Sequence, residues 1–123
     1  MDPAARRAAL VTRPNPDRRH DYLVTLRGSL GTGAGLRLRY VPDKLVIEAP
    51  SLNAYLLRLA DMDWKGLEHL AVCVLEDVNN ETVARWIQVE VTMGDGLAGH
   101  SVLLEDRQPK WDNPALLARL GPG

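Results

Sequence analysis

The chain has 123 residues, with 15 Lys and Arg against 16 Asp and Glu, and a formal net charge of −1. This length suits one domain with its own core and excludes a second lobe. Because the basic residues are scattered and form no stripe, direct binding to nucleic acid is not expected.

The N-terminal 20 residues are rich in Ala, Arg and Pro, and we predict that they form a flexible arm. Residues 21–123 are then expected to form the single domain. The one cysteine, Cys73, excludes an internal disulfide framework. No stretch resembles a secretory leader or the roughly 20 apolar residues that span a bilayer, so we expect a cytoplasmic protein without a membrane partner.

Two stretches with alternating apolar residues follow the arm and predict two strands, over residues 21–27 and 35–41. The inward residues are Tyr22, Val24 and Leu26 in the first strand and Leu36, Leu38 and Tyr40 in the second. The connection GSLGTGAG contains four glycines, but no lysine follows it and it leads to a strand. It is therefore predicted to be a hairpin loop and not a phosphate-binding loop.

A short extended segment, KLVIE, follows the turn at Pro42 and Asp43 and ends at Glu48. Ser51 is the predicted N-cap of a first helix that ends near Ala60. Its apolar residues recur at helical spacing: Leu52, Tyr55, Leu56 and Leu59.

A second helix is predicted after the linker DMDWKG, and Glu68 lies in its first turn. The apolar positions of this helix are Leu67, Leu70, Ala71, Val74, Leu75 and Val78. The helix dipole and the unpaired amides of a first turn favour a carboxylate there. Cys73 lies near the apolar face, where burial raises a thiol pKa, so it is not expected to act as a nucleophile.

Strands over residues 84–91 and 100–105, joined by the turn MGDGLAG, complete the order strand, strand, helix, helix, strand, strand. In the tail, Asn113 is predicted to cap a short helix that begins at Pro114. This order favours an α+β fold in which two helices cover one face of an antiparallel four-stranded sheet. The open sheet edges predict a homo-oligomer that closes into a barrel, with pockets between subunits.

Glu48 and Glu68 are the candidate ligand-binding residues. A carboxylate accepts two parallel hydrogen bonds, which matches the ring N–H and exocyclic NH₂ of a guanine-type base. For Glu68, stabilisation of the helix start alone is the alternative. Trp64 and His69 are possible pocket residues. The three histidines lack His-x-His spacing, so no metal site is expected.

These elements and residues resemble the tunnelling fold (T-fold) and, within it, the NADPH-dependent nitrile reductases. That family converts 7-cyano-7-deazaguanine to 7-aminomethyl-7-deazaguanine for the queuosine modification of tRNA. The resemblance extends over roughly residues 14–93 and rests on PNP with a following DY, on YVPD at residues 40–43, and on IEAPSLNAYL at residues 47–56. The last of these is similar to the family's VESKSLKLYL.

The resemblance implies that Ile47, Glu48 and Ala49 touch the substrate. It also implies that Leu67 and Glu68 take the place of the family's histidine and glutamate pair, with Glu68 holding the deazaguanine edge.

The sequence also departs from the family pattern. The family forms a covalent thioimide through a cysteine in the loop between its first two strands, and an aspartate of that loop protonates the substrate. Residues 28–35 contain neither a cysteine nor an acid. Pro50 and Asn53 replace the two lysines of ESKSLK, and GDGLAGH replaces the glycine-rich PRGG. Most NADPH contacts are thus absent, and no catalytic residue or cofactor is assigned.

The leading hypothesis is a divergent, shortened relative that binds a purine, pterin or 7-deazaguanine-like base at a subunit interface without nitrile reduction. One alternative is an enzyme of queuosine or pterin metabolism without a covalent cysteine, in which Glu48, His69 or Asp63 moves protons. The other is a non-catalytic subunit that partners an active reductase. The sequence does not decide whether the chain is an enzyme.

Overall fold

The computed structural model describes residues 3–31, 33–94 and 99–120. In chain order the elements are α1 (Pro3–Arg7), β1 (Thr12–Pro14), β2 (Val24–Ser29), β3 (Ala34–Val41), β4 (Leu45–Ile47), α2 (Ala49–Ala60), α3 (Leu67–Thr82), β5 (Trp86–Met93), β6 (His100–Arg107) and α4 (Pro114–Leu117). Thr32 of the predicted hairpin loop and residues 95–98, which belong to MGDGLAG and GDGLAGH, lie outside the described residues.

A four-stranded antiparallel sheet with the order β2-β3-β5-β6 forms the centre of the molecule. Leu38 lies opposite Leu26 on one neighbouring strand and opposite Val89 on the other. Because side chains alternate across a sheet, the apolar residues predicted for the first two strands share one side with those of β5. The α+β class and the antiparallel sheet are confirmed.

Both long helices pack on this apolar side of the sheet, α2 against β2 and α3 against β5 and β6. The buried core joins strand residues such as Tyr40 and Ile87 with helix residues such as Leu56, Ala71 and Val78. The alternating apolar residues of the strands and the apolar residues three and four apart in the helices therefore form one core, as the sequence predicts.

Gly28 is the point of closest approach between β2 and α2. A Cβ atom at this position would lie 2.4 Å from the Leu56 Cδ1 atom, and Leu56 is buried. We expect Gly28→Ala to lower the free energy of unfolding by about 1–3 kcal/mol, because the buried Leu56 side chain must move to admit the methyl group. Urea denaturation measures the loss.

Gly35→Ala is the matched control for Gly28→Ala. Gly35 lies on the opposite side of the same hairpin, and the nearest atom to an added Cβ is the Gly28 carbonyl oxygen at 4.0 Å. This variant should leave stability unchanged or slightly raised. Equal losses in the two variants would contradict the steric explanation.

The N-terminal segment is not a free arm in the structure. Residues 12–14 form β1, which pairs antiparallel with β4 in a separate two-stranded sheet. Leu10 is buried in the core, and α1 contacts both α2 and α3. The prediction of a flexible arm fails for residues 3–14 because their partners lie far along the chain, where local composition gives no sign of them.

Helix α2 begins two residues before the predicted N-cap. Glu48 is the N-cap residue and Pro50 occupies the first turn, where its missing N–H costs nothing. Ser51 lies inside the helix, and its hydroxyl donates to the Glu48 carbonyl oxygen at 2.7 Å. The predicted end at Ala60 is confirmed, as is the start of α3 at Leu67.

The C-terminal tail reaches the other side of the central sheet. The Asn113 side chain accepts a hydrogen bond from the Leu116 N–H, which confirms the predicted cap of α4. Arg39 donates to the Leu120 carbonyl oxygen at 3.2 Å, and Trp86 is buried on this same side. The tail therefore covers one end of the sheet side that faces away from the helices.

Candidate functional site

A cavity of about 300 Å³ lies where the end of α2 and the start of α3 meet the sheet. Its walls are mainly apolar. The helices contribute Leu59, Leu67 and Leu70, and the sheet end contributes Leu30, Ala34 and Met93. Concave, apolar spaces of this size are typical of small-molecule sites, which add a few polar groups for orientation.

Trp64 and His100 bring polar groups to this cavity. The indole N–H of Trp64 donates to the Leu59 carbonyl oxygen at 2.8 Å, which fixes the ring beside the cavity. His69 is exposed and meets the Trp64 ring edge-on, with 5.2 Å between ring centroids. Trp64 thus lines the cavity directly, whereas His69 supports Trp64 from outside.

Glu68 lies in the first turn of α3, directly after the cavity-lining residues Gly66 and Leu67, and does not itself line the cavity. Its Oε2 atom is 3.6 Å from the His100 Nε2 atom, and its side chain is 69% exposed. An ion pair this exposed contributes little to folding. The N-cap of α3 is Gly66, which offers no side chain to the free amides of the first turn. The carboxylate is thus open to solvent and lies beside His100, a residue that lines the cavity.

The other predicted binding residues lie at the opposite end of α2. Ile47 is buried in β4 and its N–H donates to the Tyr40 hydroxyl at 2.9 Å. Glu48 is half-buried, and Ala49 is exposed at the helix start. The 12 residues of α2 span roughly 18 Å, so this group and Glu68 cannot share one pocket within a single chain.

A buried polar cluster, which the sequence analysis did not identify, lies between α1, α2 and α3. It consists of Arg6, Arg7, Tyr55, Cys73 and Asp77, and is called the Asp77 cluster below. The Asp77 carboxylate is fully buried and accepts from Arg6 at 2.6 and 2.9 Å, from Arg7 at 2.6 Å and from Tyr55 at 2.6 Å. The sequence does carry one sign of this cluster, because Asp77 lies among the apolar positions of α3. An acid is rarely buried without a partner, so its position indicates a buried ion pair.

The electrostatics of the Asp77 cluster follow from these contacts. Burial alone would raise the pKa of Asp77, but the hydrogen bonds from Arg6, Tyr55 and Arg7 outweigh it and hold that pKa below its usual value. The Cys73 thiol lies 3.6 Å from the carboxylate. Burial and this negative charge raise the pKa of Cys73 to about 11, which confirms that it is a poor nucleophile.

Two classes of site have no support in the described part of the chain. Within residues 3–31, 33–94 and 99–120, no three His, Cys, Asp or Glu side chains lie close enough together to hold a metal ion. None of the helices in these ranges has the length and apolar character needed to cross a membrane.

Fold and site together define a small α+β protein in which an apolar cavity lies at one end of an antiparallel sheet, next to an exposed acid. No family model matches the sequence. The chain is similar to the NADPH-dependent 7-cyano-7-deazaguanine reductase of Syntrophus aciditrophicus (strain SB). The two are 32% identical over 120 residues, which cover 85% of this chain and 82% of the relative. The chain belongs to the NADPH-dependent 7-cyano-7-deazaguanine reductase family, and the resemblance noted in the sequence is confirmed.

Proposed function

We propose that this chain binds a purine, pterin or 7-deazaguanine-like base at a subunit interface, without the covalent nitrile reduction of its family. The observation that supports the proposal is the apolar cavity lined by Trp64 and Leu67, with the exposed carboxylate of Glu68 next to the lining residue His100. The name of the relative, which specifies 7-cyano-7-deazaguanine, supports the same class of ligand.

The chemistry of the cavity suits a flat nitrogen heterocycle. Apolar walls and an indole ring favour the ring faces, because they exchange water for dispersion contacts. One edge of such a base carries an N–H and an NH₂ group that can donate together to the two oxygens of Glu68. His100, at the same rim, can donate to or accept from a second edge.

An interface is proposed because Glu48 and Glu68 lie at opposite ends of α2. For both to contact one ligand, the Glu48 end of one subunit must approach the Glu68 end of another. In the described sheet, β2 and β6 are edge strands whose outer hydrogen-bonding groups could pair with a neighbouring copy. Such pairing would close sheets of a T-fold oligomer into a barrel.

Loss of the covalent step is proposed from the position of the only cysteine. Cys73 is buried in α3 and is hydrogen-bonded to Asp77, whereas the family's nucleophile belongs to the loop between the first two strands of the sheet. Pro50 and Asn53 are exposed on α2 and carry no charge to offer a phosphate. The chain's own residues therefore support base binding better than thioimide chemistry.

Glu68→Gln is expected to lower the affinity for 7-cyano-7-deazaguanine by about ten- to a hundredfold, because the base then loses a charged acceptor. Isothermal titration calorimetry of both proteins with this base, guanine and neopterin measures the effect and ranks the ligands.

Glu76→Gln serves as the matched control for Glu68→Gln, since Glu76 is an exposed acid of the same helix remote from the cavity. It should bind the base like the unaltered chain. Equal affinities of the Glu68→Gln variant and the unaltered chain would remove Glu68 from the site. Glu68 would then only stabilise the start of α3, by about 0.3–1 kcal/mol of folding free energy.

A further inference from the structure

We propose that the N-terminal strap, residues 3–14, positions Glu48, and that Arg6, Arg7 and Asp77 form the clasp that holds the strap in place. The inference rests on the proposed function in one respect, namely that Glu48 contacts the ligand. Asp77 is then a positioning residue, which acts on Glu48 through the strap and does not contact the ligand.

The clasp fixes one end of the strap through charge. Arg6 binds both oxygens of Asp77 and Arg7 binds one of them, so two guanidinium groups share a carboxylate that has no access to water. Paired, hydrogen-bonded charges are stable in such a position, whereas a single unpaired charge is not. The two arginines therefore cannot leave Asp77 without a large cost, and the strap stays bound.

The other end of the strap is bonded directly to the start of α2. The Val11 carbonyl oxygen accepts from the Glu48 N–H at 2.8 Å, and the Val11 N–H donates to the Ser51 hydroxyl at 3.0 Å. Only three residues separate Arg7 from Val11, and one of them, Leu10, is buried in the core. A displacement at the clasp is therefore transmitted to Glu48 over a short, anchored stretch of chain.

Apart from the strap, Glu48 is held by the Ser51 hydroxyl, which donates to its carbonyl oxygen, and by the buried Ile47 before it. The strand before it, β4, has β1 of the strap as its only sheet partner among the described strands. The Glu48 side chain makes no capping hydrogen bond to α2. Without the strap, β4 would lose its sheet partner and the Glu48 N–H would lose its acceptor, while the Ile47 N–H would keep its bond to the Tyr40 hydroxyl. The orientation of Glu48 thus depends on the strap.

Amide hydrogen exchange in the ligand-free chain tests the strap. In an Arg7→Gln variant, which leaves Asp77 paired with Arg6, the Glu48 amide should exchange about tenfold faster, while the Val89 amide of the central sheet changes by less than about threefold. Arg119→Gln, an exposed arginine of the tail, is the matched control and should change neither rate. An unchanged Glu48 rate, or a rise in step with Val89, would overturn the proposal.

Ser51→Ala tests the other end of the strap and keeps the clasp intact. It removes the acceptor of the Val11 N–H, but it also removes the hydroxyl that donates to the Glu48 carbonyl oxygen. Release of the strap is therefore measured at β1, whose amides should exchange faster together with that of Glu48, while Val89 does not change.

Calorimetric titration of 7-cyano-7-deazaguanine supplies the functional readout, and both variants should bind about three- to tenfold more weakly. Equal affinity despite faster exchange would overturn the positioning role. If the unaltered chain binds no base, the proposed function fails, and exchange alone decides whether the strap holds Glu48.

Discussion

Replacing Asp77 by alanine is expected to lower the free energy of unfolding by about 3–5 kcal/mol, the range found when one partner of a buried ion pair is removed. The carboxylate satisfies two arginines and the Tyr55 hydroxyl, all of which the substitution leaves without their acceptor. Urea denaturation followed by circular dichroism measures the loss through the shift in midpoint.

Glu76→Ala is the control for this substitution, because Glu76 precedes Asp77 in the sequence but is exposed. A change within about 0.5 kcal/mol is expected there. A loss below about 1 kcal/mol in Asp77→Ala would show that the cluster contributes no more than a surface ion pair.

The stabilisation that Asp77 contributes should be larger at neutral pH than at acidic pH. Because the pKa of Asp77 is lower in the folded chain than its usual value, the stabilisation is present at neutral pH and is lost as the pH falls through the folded pKa. The difference in stability between the unaltered chain and Asp77→Ala should therefore narrow below about pH 4. A constant difference from pH 7 to strongly acidic conditions would contradict an ionised Asp77.

Incubation with 7-cyano-7-deazaguanine and NADPH is expected to leave the NADPH absorbance unchanged. Removing an enzyme's nucleophile can lower turnover by a factor on the order of 10⁶, because the covalent route divides one high barrier into two lower ones. Cys73 cannot replace the missing thiol, since it is buried beside a carboxylate and its pKa is raised to about 11.

Two controls give this assay its meaning. The reductase of Syntrophus aciditrophicus, assayed in parallel, shows that the reagents are competent. Cys73→Ser shows whether any residual NADPH oxidation depends on the only thiol of the chain. Turnover to an aminomethyl product that disappears in Cys73→Ser would demonstrate covalent catalysis and refute the proposed loss of reductase activity.

The central sheet and its two long helices were predictable because their signals are local. Alternation in β3 and β5, and apolar residues three and four apart in α3, each point to one buried side within a few residues of sequence. The predicted start of α2 is three residues too late, because Ser51 is a strong capping residue whereas the N-cap is Glu48. Pro50 before Ser51 is nevertheless compatible with a first helical turn.

The parts that escaped sequence reasoning depend on partners distant along the chain. The three residues of β1 pair with β4 more than thirty positions later. β4 lies within the predicted extended segment KLVIE, whereas β1 carries no strand signal of its own. The pairing of His100 with Glu68 depends on where β6 lies against α3. Trp64 and Leu67, which adjoin the predicted start of α3, both line the cavity, and their contact with a ligand stays a prediction.

The clasp has a consequence for how the molecule folds. Arg6 and Asp77 are 71 positions apart. During synthesis on the ribosome, Arg6 therefore cannot bind Asp77 until α3 has been synthesised. Closing so long a loop is slower than forming the β2–β3 hairpin or α3 itself. The contact is therefore expected to form after the transition state, so that weakening it accelerates unfolding and leaves the refolding rate nearly unchanged.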